Sequence, residues 1–277
     1  MNKFTRRGFI EVASIAGLGT FALSAKSADT PAAPAAVKPA PTPPAIPDEF
    51  PTQSPALARE MVGVSHGNIE RVKELLKPHP TLANATWDWG FGDWESALGA
   101  ASHVGNPEIA RLLLDHGARP SIFSAAMLGQ LAVVKAFVEA SPGVQGIRGP
   151  HGITLLAHAR AGGDSAKPVL AYLTEVGGAD PVYQAVDLSP ELMARYTGVY
   201  AFGARDTDRI EITVEKGGLR FKRSGTSARN LMHVGDHAFH PVGAPAVRVR
   251  FAVAADTPAS ELTVFDPELV LTAKRVG

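Results

Sequence analysis

Hydrophobic positions follow two different periods along this chain. Between about residues 56 and 182 they recur at helical spacing, in four segments that each contain two short amphipathic helices joined at a glycine. The turn glycines are Gly67, Gly105, Gly129 and Gly163. From about residue 187 to 277, apolar and polar residues alternate over short runs, which predicts six to eight antiparallel strands. The pattern therefore predicts a multidomain α + β protein, with helical repeats before a small antiparallel β-sheet, half-barrel or closed barrel.

Finer features support both halves of this prediction. Val133, Val134, Phe137 and Val138 lie at helical spacing and predict an apolar helix face. Among the strands, one is expected in residues 196–202 (YTGVYAF), and glycine-containing hairpin turns are expected at residues 216–218 and 234–237.

The second helical segment carries a family resemblance. It has SALGAA at residues 96–101, Gly-Asn at 105–106, EIARLLL at 108–114 and Gly-Ala at 117–118. These residues resemble the ankyrin repeat, and the likeness extends over about residues 55–180, although the T-P-L-H turn of that family is nowhere intact. The resemblance implies an α-solenoid of about four repeats whose neighbours stack to bury their helix faces. Because the turn glycines are 38, 24 and 34 residues apart, no room is expected for a protruding finger between repeats two and three.

The long first interval contains an aromatic segment, TWDWGFGDWES at residues 86–96, which we call the finger. It holds all three tryptophans of the chain. Ankyrin proteins carry a protruding loop at this position, so the resemblance implies a surface loop on a rigid scaffold. Loops of this kind often bind partners, and tryptophan is common at binding hot spots. The alternative is that the indoles fold back and cap the first repeat.

On this basis three groups of side chains are candidate binding residues. The finger contributes one group, the concave groove of the solenoid a second, and the loop before the fourth repeat a third. They are Trp87, Asp88, Trp89, Phe91, Asp93 and Trp94; then His103, Met127 and His158; and then Arg148 and His151. A histidine on a concave face is more often a solvated or capping residue than a ligand.

The strand-rich part carries a second resemblance. Leu192, residues 196–200 (YTGVY) and the strand pair at residues 212–219 resemble the small β domain appended to serine β-lactamase-like hydrolases. That likeness implies an accessory module rather than the seat of chemistry.

The N-terminal segment is expected to be an export signal. Thr5-Arg6-Arg7-Gly8-Phe9 precedes a short apolar run and resembles a twin-arginine signal. We expect a signal peptide at residues 1–28, a Pro/Ala-rich linker at 29–55, the ankyrin domain at 56–182 and the β domain at 187–277. The mature protein would then be periplasmic or extracellular and not held in a membrane.

Composition excludes several kinds of chemistry. The chain has no cysteine, which rules out disulfides, thiolate catalysis and cysteine-ligated zinc. Its 27 basic residues are matched by 27 acidic ones, so nothing favours nucleic-acid binding. The S-x-x-K, G-x-S-x-G, H-E-x-x-H and phosphate-loop motifs are absent. One segment remains, with His233, Asp236, His237 and His240, but alternating strands around a turn need not direct these side chains to one centre.

The leading hypothesis is an exported, non-catalytic binding protein. Its finger and groove would contact a protein partner, or a glycan, and we expect no catalytic residue, no metal and no cofactor. One alternative is a hydrolase-like enzyme with a site between the two domains, using His151, His158 or the His233–His240 group. Another is small-ligand binding inside the β domain.

Overall fold

The computed structural model describes residues 49–255, 257–267 and 269–276. The expected signal peptide (1–28) and most of the expected linker (29–48) lie outside the described residues. Within the described ranges, no helix combines the length and the apolar character needed to cross a membrane.

Eight helices form four consecutive pairs, each turning at one of the glycines named above. The pairs are α1 (Pro55–Val64) with α2 (Ile69–Leu76), α3 (Ala97–His103) with α4 (Pro107–Asp115), α5 (Ile122–Met127) with α6 (Leu131–Ala140), and α7 (Leu155–Ala161) with α8 (Lys167–Val176). Short 3₁₀ helices lie at Pro80–Asn84, Val144–Gly146, Pro150–Gly152 and Gly163–Ala166. The first helices pack side by side in the order α1, α3, α5, α7, and α3 also contacts α7 directly.

Local sequence explains where these helices begin. The side chains of Asn68 and Asn106, at equivalent places in two pairs, accept hydrogen bonds from backbone N–H groups in the first turns of α2 and α4. Gly105 is required by close packing as well as by its φ of +72°, because a Cβ there would lie 2.2 Å from the carbonyl oxygen of Ala161. The turn after α3 therefore rests against the end of α7.

Small residues form the contacts between the helix pairs. Ala100, Ala101, Ala125, Ala126 and Ala159 are all buried, so neighbouring helices can approach closely. The predicted apolar face of α6 is only partly buried between its neighbours.

On α6, Val134 is buried, but Val133 and Phe137 are each 41% exposed. The predicted apolar face is therefore only partly buried, because α6 is an outer helix packed on one side only.

The finger forms a short antiparallel hairpin. Its strands are β1 (Thr86–Asp88) and β2 (Trp94–Ser96), with Trp87 opposite Glu95. Gly90, Phe91 and Gly92 all have positive φ, which turns the Phe91 side chain away from the hairpin. No hairpin of this kind separates α4 from α5, as the short glycine interval predicted.

The C-terminal part is a closed eight-stranded antiparallel barrel preceded by the helix α9 (Pro190–Tyr196). The strands follow the order β10-β3-β4-β5-β6-β7-β8-β9 around the barrel. They are β3 (Gly198–Ala201), β4 (Arg209–Glu215), β5 (Gly218–Arg223), β6 (Arg229–Gly235), β7 (Ala238–Pro241), β8 (Arg248–Ala252), β9 (Glu261–Asp266) and β10 (Leu269–Arg275).

Two details of the barrel test the sequence predictions. Both hairpin turns are confirmed, with positive φ at Lys216 and Gly217 and again at Asp236 and His237. The strand expected from residue 196 was placed too early: Tyr196 ends α9 and its ring is fully buried among barrel aromatics.

The finger and the loop before α7 both contact the barrel. The Phe91 ring packs edge-on against Phe221 of β5, with centroids 5.7 Å apart. Asp93 forms an ion pair with Arg229 of β6 at 2.8 Å. These contacts bring parts of the helical region and of the barrel together around one cluster of polar side chains.

Candidate metal centre

Four side chains from separate elements converge beside the finger. His66 follows α1, Glu95 lies in β2, His103 ends α3 and His151 lies in the 3₁₀ helix before α7. One ligand atom from each lies within 4.8 Å of all the others. The 3₁₀ helix Pro150–Gly152 contacts α3 directly and places His151 beside His103, with their imidazole centroids 5.3 Å apart.

The separations between the converging atoms suit a tetrahedral ion. The Nε2 atoms of His66 and His103 are 3.1 Å apart, and His103 Nε2 is 3.0 Å from Glu95 Oε1. His151 Nε2 is 3.4 Å from Glu95 Oε1, and His66 Nε2 is 3.5 Å from Glu95 Oε2. Ligand atoms around a tetrahedral zinc ion with bonds of about 2.0–2.1 Å are about 3.3 Å apart. These four distances bracket that value, and other atoms of the cluster, separated by up to 4.8 Å, would move closer on binding an ion.

Hydrogen bonds to the outer ring nitrogens orient two of the imidazoles. Nδ1 of His66 lies 3.0 Å from the carbonyl oxygen of Gly63 and 3.2 Å from that of Val62. Because carbonyls only accept hydrogen bonds, Nδ1 carries a proton, and Nε2 is the ring nitrogen that faces the cluster. Metal-binding histidines in proteins are oriented in this way.

His151 is oriented by a carboxylate. Its Nδ1 donates to Asp93 Oδ2 at 2.8 Å, and its backbone N–H donates to Asp93 Oδ1 at 2.8 Å. Asp93 also accepts a 2.8 Å hydrogen bond from Arg229 of the barrel. The hydrogen bonds from Arg229 to Asp93 and from His151 to Asp93 therefore hold the His151 imidazole in place. The three residues come from the barrel, the finger and the loop before α7.

Glu95 is fully buried at the centre of the cluster. The indole N–H of Trp89 donates to its Oε2 at 2.7 Å. Its Oε1 is buried and has no hydrogen-bond partner with acceptable geometry, although two imidazole nitrogens lie within 3.4 Å. A buried carboxylate oxygen in this position is costly unless a cation or donor satisfies it.

Burial and charge compete in the cluster. Burial raises the pKa of Glu95, but the imidazoles of His103 and His151 outweigh it and bring the pKa to about 2. Burial lowers the pKa of His151, and Asp93 and Glu95 outweigh that effect and raise it to about 9. Burial raises the pKa of Asp93, yet His151 and Arg229 hold it below its usual value. Two buried carboxylates thus require positive charge beside them.

The cluster faces a cavity of about 360 Å³ between the finger and the barrel. Its walls combine two of the imidazoles with side chains of β5, β6 and the loop between them. The lining residues are His66, Trp89, His151, Arg220, Ser227, Ala228, Arg229, Asn230 and Val242. A ligand in this cavity would reach the polar cluster directly.

Four of the candidate binding residues meet at the cluster: Trp89, Asp93, His103 and His151. The remaining finger residues lie elsewhere. Trp87 packs on the helical core, Asp88 Oδ1 accepts the backbone N–H of Gly90 at 2.7 Å, and Phe91 packs on the barrel core. Trp94 points outward and is 61% exposed.

The groove candidates have mixed positions. Met127 is fully buried in the helical core and offers no contact surface. His158 is also fully buried, with Nδ1 at 2.8 Å from the carbonyl oxygen of Thr154 and no partner for Nε2. Arg148 donates to the carbonyl oxygens of Gly152 and Pro181 and lies 3.8 Å from the Tyr183 ring centroid, so it stabilises its own loop.

Three residues of the cluster were missed from the sequence: His66, Glu95 and Arg229. The signal for His66 was the similarity of the first two turns, because Ser-His precedes the turn at residues 65–66 and again at 102–103. Equivalent positions of adjacent helix pairs lie side by side, so His66 lies next to His103. Nothing in the sequence relates Arg229 to Asp93, which is 136 residues away.

The other histidine group does not converge. His233 Nδ1 lies 3.2 Å from the carbonyl oxygen of Val186, His237 Nδ1 lies 2.6 Å from the Tyr196 hydroxyl, and His240 packs against Tyr183. These side chains have separate partners in α9 and in the segment before it, and they form no common site in the described part of the chain.

Comparisons with known proteins identify one repeat. A family model, described as ankyrin repeat, matches residues 93–124, from the end of the finger through α3 and α4 into α5. No curated protein matches the chain. Among solved structures, one titled "Crystal structure of SurE" is similar at 23% identity over 43% of this chain and 28% of that chain, with a TM-score of 0.25. The chain therefore contains an ankyrin repeat, a unit that generally mediates binding between proteins, joined to an antiparallel barrel.

Proposed function

We propose that this protein binds a divalent transition-metal ion, Zn²⁺ foremost, through His66, Glu95, His103 and His151. The observation that carries the proposal is the convergence of three Nε2 atoms and one carboxylate within 4.8 Å. Imidazole and carboxylate are both zinc ligands, and zinc is commonly held by four of them in a tetrahedron.

The surrounding hydrogen bonds favour a metal over a purely structural network. A structural network of this kind would satisfy its buried acceptors, but Glu95 Oε1 has no hydrogen-bond partner. The outer nitrogens of His66 and His151 are already bound to a carbonyl and to a carboxylate. The inner nitrogens therefore face the centre of the cluster, where a bound ion would displace the proton that His151 carries at neutral pH because its pKa is raised to about 9.

The number of ligands favours binding over catalysis. Structural zinc sites have four protein ligands, whereas catalytic ones usually have three and keep a position for water. Four protein groups converge here, so we propose a non-catalytic role in which the ion fastens the finger, two helix pairs and the loop before α7 to one another. The barrel would then act as an accessory module, as its sequence resemblance implies.

Metal analysis of the purified protein tests the proposal. We expect one zinc ion per chain, and we expect Co²⁺ to replace it with the intense visible absorption of a four-coordinate site. Glu95→Gln should lower the bound metal to a small fraction of one equivalent. His116→Ala is the matched control, because His116 is exposed at the end of α4, where its Nδ1 lies 2.8 Å from the carbonyl oxygen of Leu112, and it is not one of the converging residues.

Two results would contradict the proposal. One is a folded wild-type protein that takes up no zinc or cobalt at micromolar concentrations. The other is equal metal content in wild type and Glu95→Gln. Weak, five-coordinate cobalt spectra with an exchangeable water would instead support the enzyme alternative at this same pocket.

A second candidate function is partner binding by an ankyrin solenoid, which we propose to contain about four repeats. Its support is the ankyrin match together with the exposed Trp94, which lines a shallow depression with Phe123 and Pro150. We expect a partner that co-purifies in fixed stoichiometry with wild type and is lost from Trp94→Ala. The His116→Ala variant should retain it, and equal recovery with all three proteins would count against the role of Trp94.

Export by a twin-arginine signal remains part of the proposal. It is supported by the paired Arg6-Arg7 ahead of an apolar run. Replacing both arginines by lysine should move the protein from the periplasmic to the cytoplasmic fraction. An unchanged distribution would argue against this route.

A further inference from the structure

A second cavity adjoins the one beside the metal cluster, and its walls have a different character. It measures about 220 Å³ and lies where the finger meets the barrel. Phe91, Phe221, Val264, Leu269 and Leu271 give it a largely apolar lining. Trp89, Ser227 and Arg229 line both cavities, so the two spaces are neighbours on either side of the same three side chains.

The lining of these cavities carries positive charge. Three arginines, Arg220, Arg223 and Arg229, are among the lining residues, and no aspartate or glutamate of the described ranges is. The carboxylates of Asp93 and Glu95 lie behind this lining, where they accept hydrogen bonds from Arg229 and Trp89. Arg229 is paired with Asp93 and Arg220 with Glu215, but Arg223 makes no ion pair within the described ranges. The Nε of Arg220 is buried and has no hydrogen-bond partner. The walls therefore offer guanidinium donors to an anion.

We propose that the two cavities together bind a medium-chain carboxylate. The hydrocarbon tail would occupy the apolar cavity under Phe91, and the carboxylate would lie among Arg220, Ser227 and Arg229 in the polar one. An apolar space with a few convergent polar groups is typical of small-molecule sites, and the larger cavity alone is within their usual range of about 300–1,000 Å³. This site goes beyond the proposed metal function and does not require the ion.

Chain length and head-group charge provide separate tests. Butanoate, hexanoate, octanoate and octanol would be titrated calorimetrically into the full chain, once loaded with zinc and once treated with chelator. Because each buried methylene contributes about a factor of four, octanoate should bind at least tenfold more tightly than butanoate. Octanol should bind at least tenfold more weakly than octanoate, since it lacks the negative charge.

Variants locate the two ends of the ligand. Leu271→Trp fills the apolar cavity and should remove the dependence of affinity on chain length. Arg220→Gln should weaken octanoate but not octanol. The titrations on wild type test the proposal even if a variant fails to fold.

The outcomes distinguish this inference from the metal proposal. Affinity that is independent of chain length, or octanol binding as tightly as octanoate, would overturn it whether or not zinc binds. Chain-length dependence in a protein that takes up no zinc would uphold it while the metal proposal fails.

Discussion

The chain contains two groups of histidines, and they behave in opposite ways. His233, His237 and His240 lie within eight positions of sequence, yet each contacts a different residue of α9 or of the segment before it. His66, His103 and His151 are spread over 86 positions, yet their ligand atoms and that of Glu95 lie within 4.8 Å. Closeness in sequence was therefore a poor guide to a shared site.

The difference follows from the secondary structure that carries each group. Around a β-hairpin, successive side chains alternate between the two faces of the sheet, so neighbouring residues diverge. In stacked helix pairs, equivalent positions of neighbouring pairs face the same side, which aligns His66 with His103, and the finger and the loop before α7 add Glu95 and His151. The first arrangement separates ligands, and the second gathers them.

The largest difference between the two groups should appear on deleting a histidine from each. His103→Ala removes one of four ligands and should lower zinc affinity by at least about 100-fold, with loss of the thermal stabilisation that zinc provides. His237→Ala should leave the affinity unchanged. Competition against a chromophoric chelator measures both, and equal affinities would remove the distinction drawn here.

The carboxylate behind His151 should matter almost as much as a ligand. Asp93→Asn weakens the hold on the imidazole, and changes of this kind typically cost about 10–100-fold in metal affinity. Asp88→Asn is the matched control in the same finger, because Asp88 contacts the turn and not the cluster. If both variants bind zinc like wild type, the Arg229–Asp93–His151 chain has no part in orienting a ligand.

His158 belongs to neither group, and we expect it to make the free energy of unfolding depend on pH. Burial lowers its pKa to about 4, so the unfolded chain, with a histidine pKa near 6.5, takes up the proton first as the pH falls. Stability present above pH 6.5 is then lost between pH 6.5 and pH 4, and at pH 5 the loss should be about 1–2 kcal/mol.

His158→Asn keeps a donor for Thr154 and does not titrate. Urea unfolding in the presence of chelator at pH 7 and pH 5 should show a smaller loss of stability for this variant than for wild type. An identical pH dependence of the free energy of unfolding would contradict a neutral, buried His158.

The smallest expected change in zinc affinity concerns two tryptophans of the finger, Trp89 and Trp94. Trp89→Phe removes the indole hydrogen bond to Glu95 and should lower zinc affinity about threefold to tenfold, since one such bond contributes about 1 kcal/mol. Trp94→Phe should have no effect, because that indole is exposed. If Trp94→Phe lowered zinc affinity more than Trp89→Phe, the exposed face of the finger would be the one near the ion.

Much of the fold was predictable because its signals are local. The turn glycines, the caps at Asn68 and Asn106, and the two barrel hairpins depend on residues close in sequence. The match over residues 93–124 coincides with the segment whose residues most resembled an ankyrin repeat. The misplaced start of β3 and the exposed face of α6 depend instead on which neighbours pack against them.

For the site, prediction stopped at single residues. Trp89, Asp93, His103 and His151 were candidates for contacting a partner, and the cluster uses them together. The Ser-His pair shared by the first two turns could have identified His66, but no sequence pattern indicated Glu95.

The finger shows most clearly where the local information ends. Its composition identified an aromatic loop between two helix pairs, and both interpretations of it were possible on that basis. Its direction depends on contacts with partners that are far away in sequence, Phe221 and Arg229. Periodicity and turn chemistry determine which elements form, because they act over a few residues. Only packing of the barrel against the helices decides that three indoles divide between core, cluster and solvent, and that three distant histidines meet at one carboxylate.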